Sequence, residues 1–229
     1  MNPGITFGAM AGYTKVRKSP LEETGMKTIT INDRCVTPSK VVCIGLNYVA
    51  HIEELGNETP DHMVVFNKPN SAISDILRSQ IAGEILHYES ELAFAIEGGK
   101  LAAVGFGLDL TKRDLQTRLK AKGLPWERAK AFDGAALFSE FVALPKEVSA
   151  LSLQLTVDGE LRQSGGVRLM VYEPDTILRE LQEFTTLEDG DIIMTGTPEG
   201  VGEIKTGERF EGLVLAGSKR LVTASWVAQ

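Results

Sequence analysis

Apolar and polar residues alternate with a period of two through much of this chain, as expected of half-buried strands. This pattern predicts a short strand over 28–31 and core strands at 92–96 and 104–108. Continuous apolar runs predict buried strands at 41–46, 64–66 and 191–194. The segments 151–157 and 161–163 flank Asp158-Gly159-Glu160 and predict a hairpin. Two further strands are expected over 210–215 and 221–226. Helical signals are fewer. Asn47 reads as an N-cap and Gly56 as the closing glycine of a short helix. Thr111-Lys112-Arg113-Asp114 matches a capping box opening a helix that runs to about residue 122 and closes at Gly123. Pro174 opens another helix, whose apolar face carries Ile177, Leu178, Leu181 and Phe184. Many short strands and few helices predict an α+β, β-rich fold, not a doubly wound parallel sheet.

One strand carries an unusual pair. In His87-Tyr88-Glu89-Ser90-Glu91-Leu92, Glu89 and Glu91 stand at i and i+2 and so share one face. Two such carboxylates repel each other unless a cation or a solvated face compensates. Asp109 has a similar apolar setting, at the end of Val104-Gly105-Phe106-Gly107-Leu108. With no cysteine or histidine between them, the three suggest an oxygen-only site for a hard ion such as Mg²⁺ or Mn²⁺. A solvated sheet face fits the spacing as well.

Other residues also admit two readings. His51 and Glu54 share a helix face at i, i+3, as a general base with its orienting carboxylate or as a surface ion pair. Lys130, in an aromatic-rich loop, is a candidate for polarising a carbonyl, and Lys68 is a substrate-binding candidate of the same kind; either also reads as a solvated lysine. The loop Thr195-Gly196-Thr197-Pro198-Glu199-Gly200-Val201-Gly202 lets backbone N–H groups approach an anion, or is simply a tight turn. It lacks the Lys-Ser/Thr ending of a phosphate loop, and the chain has no Gly-x-Ser-x-Gly elbow.

Composition narrows the choices. The 229 residues carry a net charge of −7, which argues against a nucleic-acid partner. No run reaches the ~18 apolar residues of a membrane span, and no secretory signal is visible. Two cysteines, Cys35 and Cys43, do not make a disulfide framework, so a cytoplasmic setting is expected.

Six blocks then agree in order. They are Ile44-Gly45-Leu46-Asn47-Tyr48 with His51 and Glu54; Phe66-Asn67-Lys68-Pro69; Tyr88-Glu89-Ser90-Glu91-Leu92; Leu108-Asp109-Leu110-Thr111-Lys112-Arg113-Asp114-Leu115-Gln116; Gly123-Leu124-Pro125-Trp126 with Lys130; and the 195–202 loop. Together, from about residue 40 to 226, they resemble the fumarylacetoacetate hydrolase family, most closely its compact acylpyruvase-like members. The resemblance implies a rolled, barrel-like mixed sheet, a homodimer, and a catalytic domain over 41–229 behind an N-terminal arm or cap, 1–40. It implies Mg²⁺ or Mn²⁺ on Glu89, Glu91 and Asp109, with His51 and Glu54 activating water and Lys130 facing the substrate's oxo group. Arg113, Gln116 and Thr197 match positions near the substrate, a small oxo-acid. The implied activity is hydrolysis of acylpyruvates through a pyruvate enolate. The alternatives are oxaloacetate decarboxylation or tautomerisation, isomerisation of the 2-hydroxyhepta-2,4-diene-1,7-dioate type, or a silent binding protein. The stretch between Lys68 and Glu89 and the segment Glu97-Gly98-Gly99-Lys100 depart from the family pattern.

Overall fold

The computed structural model describes residues 25–56 and 60–229. Most of the alternating segments become strands of two sheets. The larger sheet runs Ala136–Phe138, Lys100–Asp109, Ser90–Glu97, Ile192–Met194, Lys40–Gly45, Val64–Pro69, with Val142–Ala143 also on the Lys100–Asp109 strand. It is mixed, because Ile192–Met194 runs parallel to Lys40–Gly45 and antiparallel to Ser90–Glu97. The smaller sheet is antiparallel, in the order Glu160–Gly166, Leu151–Val157, Arg209–Ala216, Lys219–Val227. The result is a β-rich α+β fold with a curled, half-barrel sheet.

Side-chain alternation divides the larger sheet into two kinds of face. Leu92, Phe94, Val104, Phe106 and Leu108 meet Leu151, Leu153, Leu155, Phe210 and Val214 of the smaller sheet. Each such buried side chain contributes about 1.5–3 kcal/mol, which makes this interface the main core. The opposite face of the same strands is lined by small residues, Ala93, Ala95 and Ala103, packed with Val41, Cys43, Ile192 and Met194. Stepping back by twos from Ala93 along this face reaches Glu91 and then Glu89. The carboxylate pair therefore continues a packed apolar face at its end.

The parallel strand pair is pinned by Asp191. Its buried carboxylate accepts from Ser39 N–H (2.9 Å), Ser39 Oγ (2.7 Å), Lys40 N–H (3.1 Å), Lys40 Nζ (2.6 Å) and Glu188 N–H (3.0 Å). Burial opposes ionisation here, but these donors outweigh it and hold the carboxyl below its ordinary range.

The helices are α1 (Val49–Glu54), α2 (Arg113–Ala121), α3 (Glu127–Lys130) and α4 (Pro174–Gln182). Pro174 stands in the first turn of α4, and Ile177 and Leu181 pack on Val42, Ile44 and Ile193. Phe184, expected on that face, lies past the helix end and is 66% exposed. Two expected caps are not formed. Tyr48, not Asn47, occupies the N-cap of α1, because the Asn47 amide bridges two loops. At α2 the N-cap is Lys112, and the Thr111 hydroxyl accepts from Lys130 instead.

Of the arm or cap expected at 1–40, residues 1–24 lie outside the described residues. Ile29–Ile31 pairs with Arg34–Val36, and Ile29 and Ile31 are buried against the small-residue face. No helix among the described residues is long and apolar enough to cross a membrane.

Candidate active site

Three carboxylates converge, Glu91 and Asp109 from strands and Glu89 from the break just before Ser90–Glu97. Ser90–Glu97 and Lys100–Asp109 pair in a register that sets Glu91 opposite Gly107, and Asp109 N–H donates to Glu89 C=O at 2.8 Å. Glu89, Glu91 and Asp109 are all buried, and each offers an oxygen within 4.8 Å of the other two.

Cations from three elements surround the group. Lys130 Nζ, at the end of α3, lies 2.7 Å from Glu89 Oε2 and 2.8 Å from Asp109 Oδ2, and donates to Thr111 Oγ1 at 2.6 Å. Arg113, at the start of α2, pairs with Glu89 and donates to Gln116 Oε1 at 2.9 Å. Lys68, expected to touch substrate, is fully buried behind Asp109, 2.8 Å from Oδ1, and does not line the cavity over the triad. Its inward direction follows from the register, since Lys68 pairs with Val41 and shares the face of Cys43 and Met194.

The charges are unequally compensated. Burial would raise Glu89, but Lys130 and Arg113 outweigh it and hold the carboxyl below its ordinary range. Burial likewise lowers Lys130, but Asp109 and Glu89 reverse the effect and raise it. Glu91 is pushed well up by burial and by the charges of Asp109 and Glu89. Its hydrogen bond comes from Gly196 N–H, at 2.6 Å, and no described cationic side chain forms an ion pair with it. A buried carboxylate in this state is stabilised by a divalent ion, and the all-oxygen donor set suits a hard one. The residues present therefore fit a Mg²⁺- or Mn²⁺-type ion.

The His51–Glu54 pair stands over the cavity. His51 is buried, and its Nδ1 lies 3.1 Å from Glu54 Oε2. A carboxylate only accepts, so Nδ1 carries a proton, and in the neutral imidazole the lone pair is then on Nε2. Glu54 Oε1 accepts from Gly200 N–H at 2.9 Å, which ties the dyad to the glycine-rich loop. Gly200 has φ +93°, and a Cβ there would stand 2.0 Å from Arg162 C=O.

That loop is held at several points. Asn47 Nδ2 donates to Thr195 C=O (2.7 Å), Gly196 N–H donates to Glu91, and Gln163 Nε2 donates to Thr197 Oγ1 (2.8 Å) and Pro198 C=O (2.8 Å). Thr197, Arg113, Gln116, Lys130 and His51 line one cavity with the three carboxylates. Sequence reasoning missed Gln163 and Asn47 as site-building residues. The available signal for Gln163 was its register: across the hairpin it faces Leu155, a core position.

The β-rich half barrel thus brings an acid triad able to hold a metal ion, a lysine and His51, held by Glu54, to one cavity. The sequence matches the family described as "Fumarylacetoacetate (FAA) hydrolase C-terminal" over residues 40–224, and the chain belongs to that family. It is 39% identical over 191 residues to oxaloacetate tautomerase YcgM of Escherichia coli (strain K12), covering 75% of this chain and 86% of that protein. It is 33% identical over 189 residues to a mitochondrial oxaloacetate decarboxylase of Dictyostelium discoideum, covering 75% of this chain and 87% of the relative. Among solved structures, fumarylpyruvate hydrolase from Pseudomonas aeruginosa, in complex with Mn²⁺ and pyruvate, superposes with a TM-score of 0.78 at 30% identity. That match covers 89% of this chain and 97% of the other.

Proposed function

We propose that this protein interconverts the keto and enol forms of oxaloacetate. The observation that carries the reading is the buried triad with a lysine, an arginine and His51, held by Glu54, on one cavity. The relatives at 39% and 33% identity support oxaloacetate over the acylpyruvates expected first from sequence.

Glu89, Glu91 and Asp109 would hold the ion, proposed as Mg²⁺ or Mn²⁺, which when bound polarises the substrate's oxo group as a Lewis acid. Arg113 and Gln116, joined at 2.9 Å on one face of α2, bind the carboxylate of the oxo-acid. His51 Nε2 takes a proton from the carbon beside the oxo group, and the electron pair moves into the new carbon–carbon double bond. The Lys130 ammonium, whose three N–H groups are held by Glu89, Asp109 and Thr111, stabilises the negative charge gathering on the oxo oxygen through its positive charge. His51 then delivers the same proton to that oxygen, so the enol forms with no net gain or loss of atoms. Glu54 holds the imidazole tautomer throughout and stabilises its charged form.

Acylpyruvate hydrolysis is the second reading, and the same dyad favours it, since a base that takes a proton from carbon also takes one from water. The two are separated by following decay of the enol absorbance of oxaloacetate, and release of acetate from acetylpyruvate, with wild type and His51→Ala. Fast, His51-dependent equilibration of oxaloacetate with slow acetate release supports the tautomerase; the reverse pattern rejects it. The homodimer is likewise a proposal, tested by whether the chain sediments at twice its 24.9 kDa.

A further inference from the structure

Gln163 lies on the smaller sheet's edge strand, remote in sequence from every block of the site, yet it is 1% exposed and reaches into the site's framework. Its amide orientation follows from its partners. Ser90 N–H, between the two glutamates, donates to Gln163 Oε1 at 2.9 Å. The nitrogen end must then be Nε2, and it meets Pro198 C=O at 2.8 Å, an acceptor that requires a donor. The same Nε2 lies 2.8 Å from Thr197 Oγ1. A hydroxyl that accepts from an amide keeps its own proton to give away. The acceptor this hydroxyl has among the described residues, Pro198 C=O, is 3.4 Å off, at the far end of hydrogen-bond range, and is already served by Gln163. Thr197 is 4% exposed and lines the cavity beside Glu91.

We infer that Gln163 is a positioning residue, which fixes the Thr197 hydroxyl as a hydrogen-bond donor aimed at an anionic oxygen of the bound oxo-acid. This rests on the reading of the cavity as an oxo-acid site. Gln163→Glu keeps the shape of the side chain and reverses its polarity: the new carboxylate accepts from Ser90 N–H and also takes the Thr197 proton, which turns the hydroxyl from the ligand, while Pro198 C=O loses its donor, as it also does in Gln163→Met. Gln163→Met removes the amide and leaves the hydroxyl free to rotate.

The test is a double-mutant cycle read by calorimetric titration of pyruvate in saturating Mg²⁺, with no turnover required. Gln163→Glu and Thr197→Val each weaken pyruvate about tenfold, the scale of one hydrogen bond to a charged group. The double variant is weakened little beyond either single one, because the second change removes an interaction already lost. Gln163→Met shows a smaller loss, about threefold, and keeps the inference testable if the glutamate variant folds poorly. Mn²⁺ affinity stays within about twofold of wild type in Thr197→Val and Gln163→Met, which a collapsed loop would not allow, since Gly196 N–H holds Glu91. Fully additive losses, unchanged pyruvate affinity in Gln163→Glu and Gln163→Met, or a wild type that does not bind pyruvate would each overturn the inference. A wild type that binds pyruvate but leaves oxaloacetate unequilibrated sinks the proposed reaction and leaves this cycle to decide separately.

Discussion

Replacing Lys130 by methionine isolates what its charge does, because methionine keeps most of the apolar stem and removes the ammonium. Lys130 is 3% exposed and contacts Glu89 at 2.7 Å and Asp109 at 2.8 Å. Without it, the ion pairs left to the three buried carboxylates among the described residues are those with Lys68 and Arg113. Removing one partner of a buried ion pair costs about 3–5 kcal/mol, because the other charge stays buried and uncompensated. For a chain of this size each kcal/mol moves Tm by roughly 2–4 °C, so the metal-free variant should melt about 6–20 °C below wild type. A divalent ion replaces the missing charge. At a hundredfold excess over Kd it stabilises a folded protein by about 2.7 kcal/mol, and the Lys130→Met gain should exceed that of wild type under the same conditions. The assay is thermal unfolding followed by circular dichroism, in EDTA and in Mg²⁺. Equal melting of the two proteins in EDTA, or equal Mg²⁺ shifts, would refute the charge-compensation argument.

Three further outcomes follow from the same geometry. Asp191→Asn should lower stability by about 2–3 kcal/mol, since five donors lose their charged acceptor. The Asp191 carboxyl is held below its ordinary value in the fold, so its contribution is complete above the unfolded value of about 3.9 and is lost as pH falls toward the folded value. The gap between wild type and Asp191→Asn in urea unfolding should therefore be widest near neutrality and close below about pH 4; a constant gap would contradict this. Gly200→Ala should cut turnover about tenfold or more and lower Tm, because its Cβ cannot stand 2.0 Å from Arg162 C=O and the Gly200–Glu54 bond must shift. Wild-type turnover in that variant would show that the loop does not orient the dyad.

Strands were legible because their pattern is local. The alternation through Leu92 and Phe94 reports which side meets the second sheet, and that physics acts residue by residue. The same alternation predicted that Glu89 and Glu91 share a face; Asp109 joined them through its similar apolar setting, and the resemblance then implied that all three hold one ion. Lys68 was harder to read. Its neighbours Phe66 and Pro69 suit either a solvated or a buried lysine, and only the pairing of Lys68 with Val41 turns the ammonium toward Asp109. Asn47 looked like an N-cap because asparagine before an apolar turn usually is one, but its partners, Tyr172 and Thr195, are more than a hundred residues away. Thr111 shows the same conflict between a local capping pattern and a distant partner, Lys130. Gln163 gave no motif at all, since its role exists only where the edge of one sheet meets the loop leaving the other.

The central claim is that Glu89, Glu91 and Asp109 act as one ligand set. Its most direct test is calorimetric titration of Mn²⁺ into the metal-free wild type and into Glu91→Gln. One ion per chain in wild type, with affinity lost by about a hundredfold or more in the variant, is the predicted result. Binding of equal strength in both proteins, or none in wild type, would contradict it.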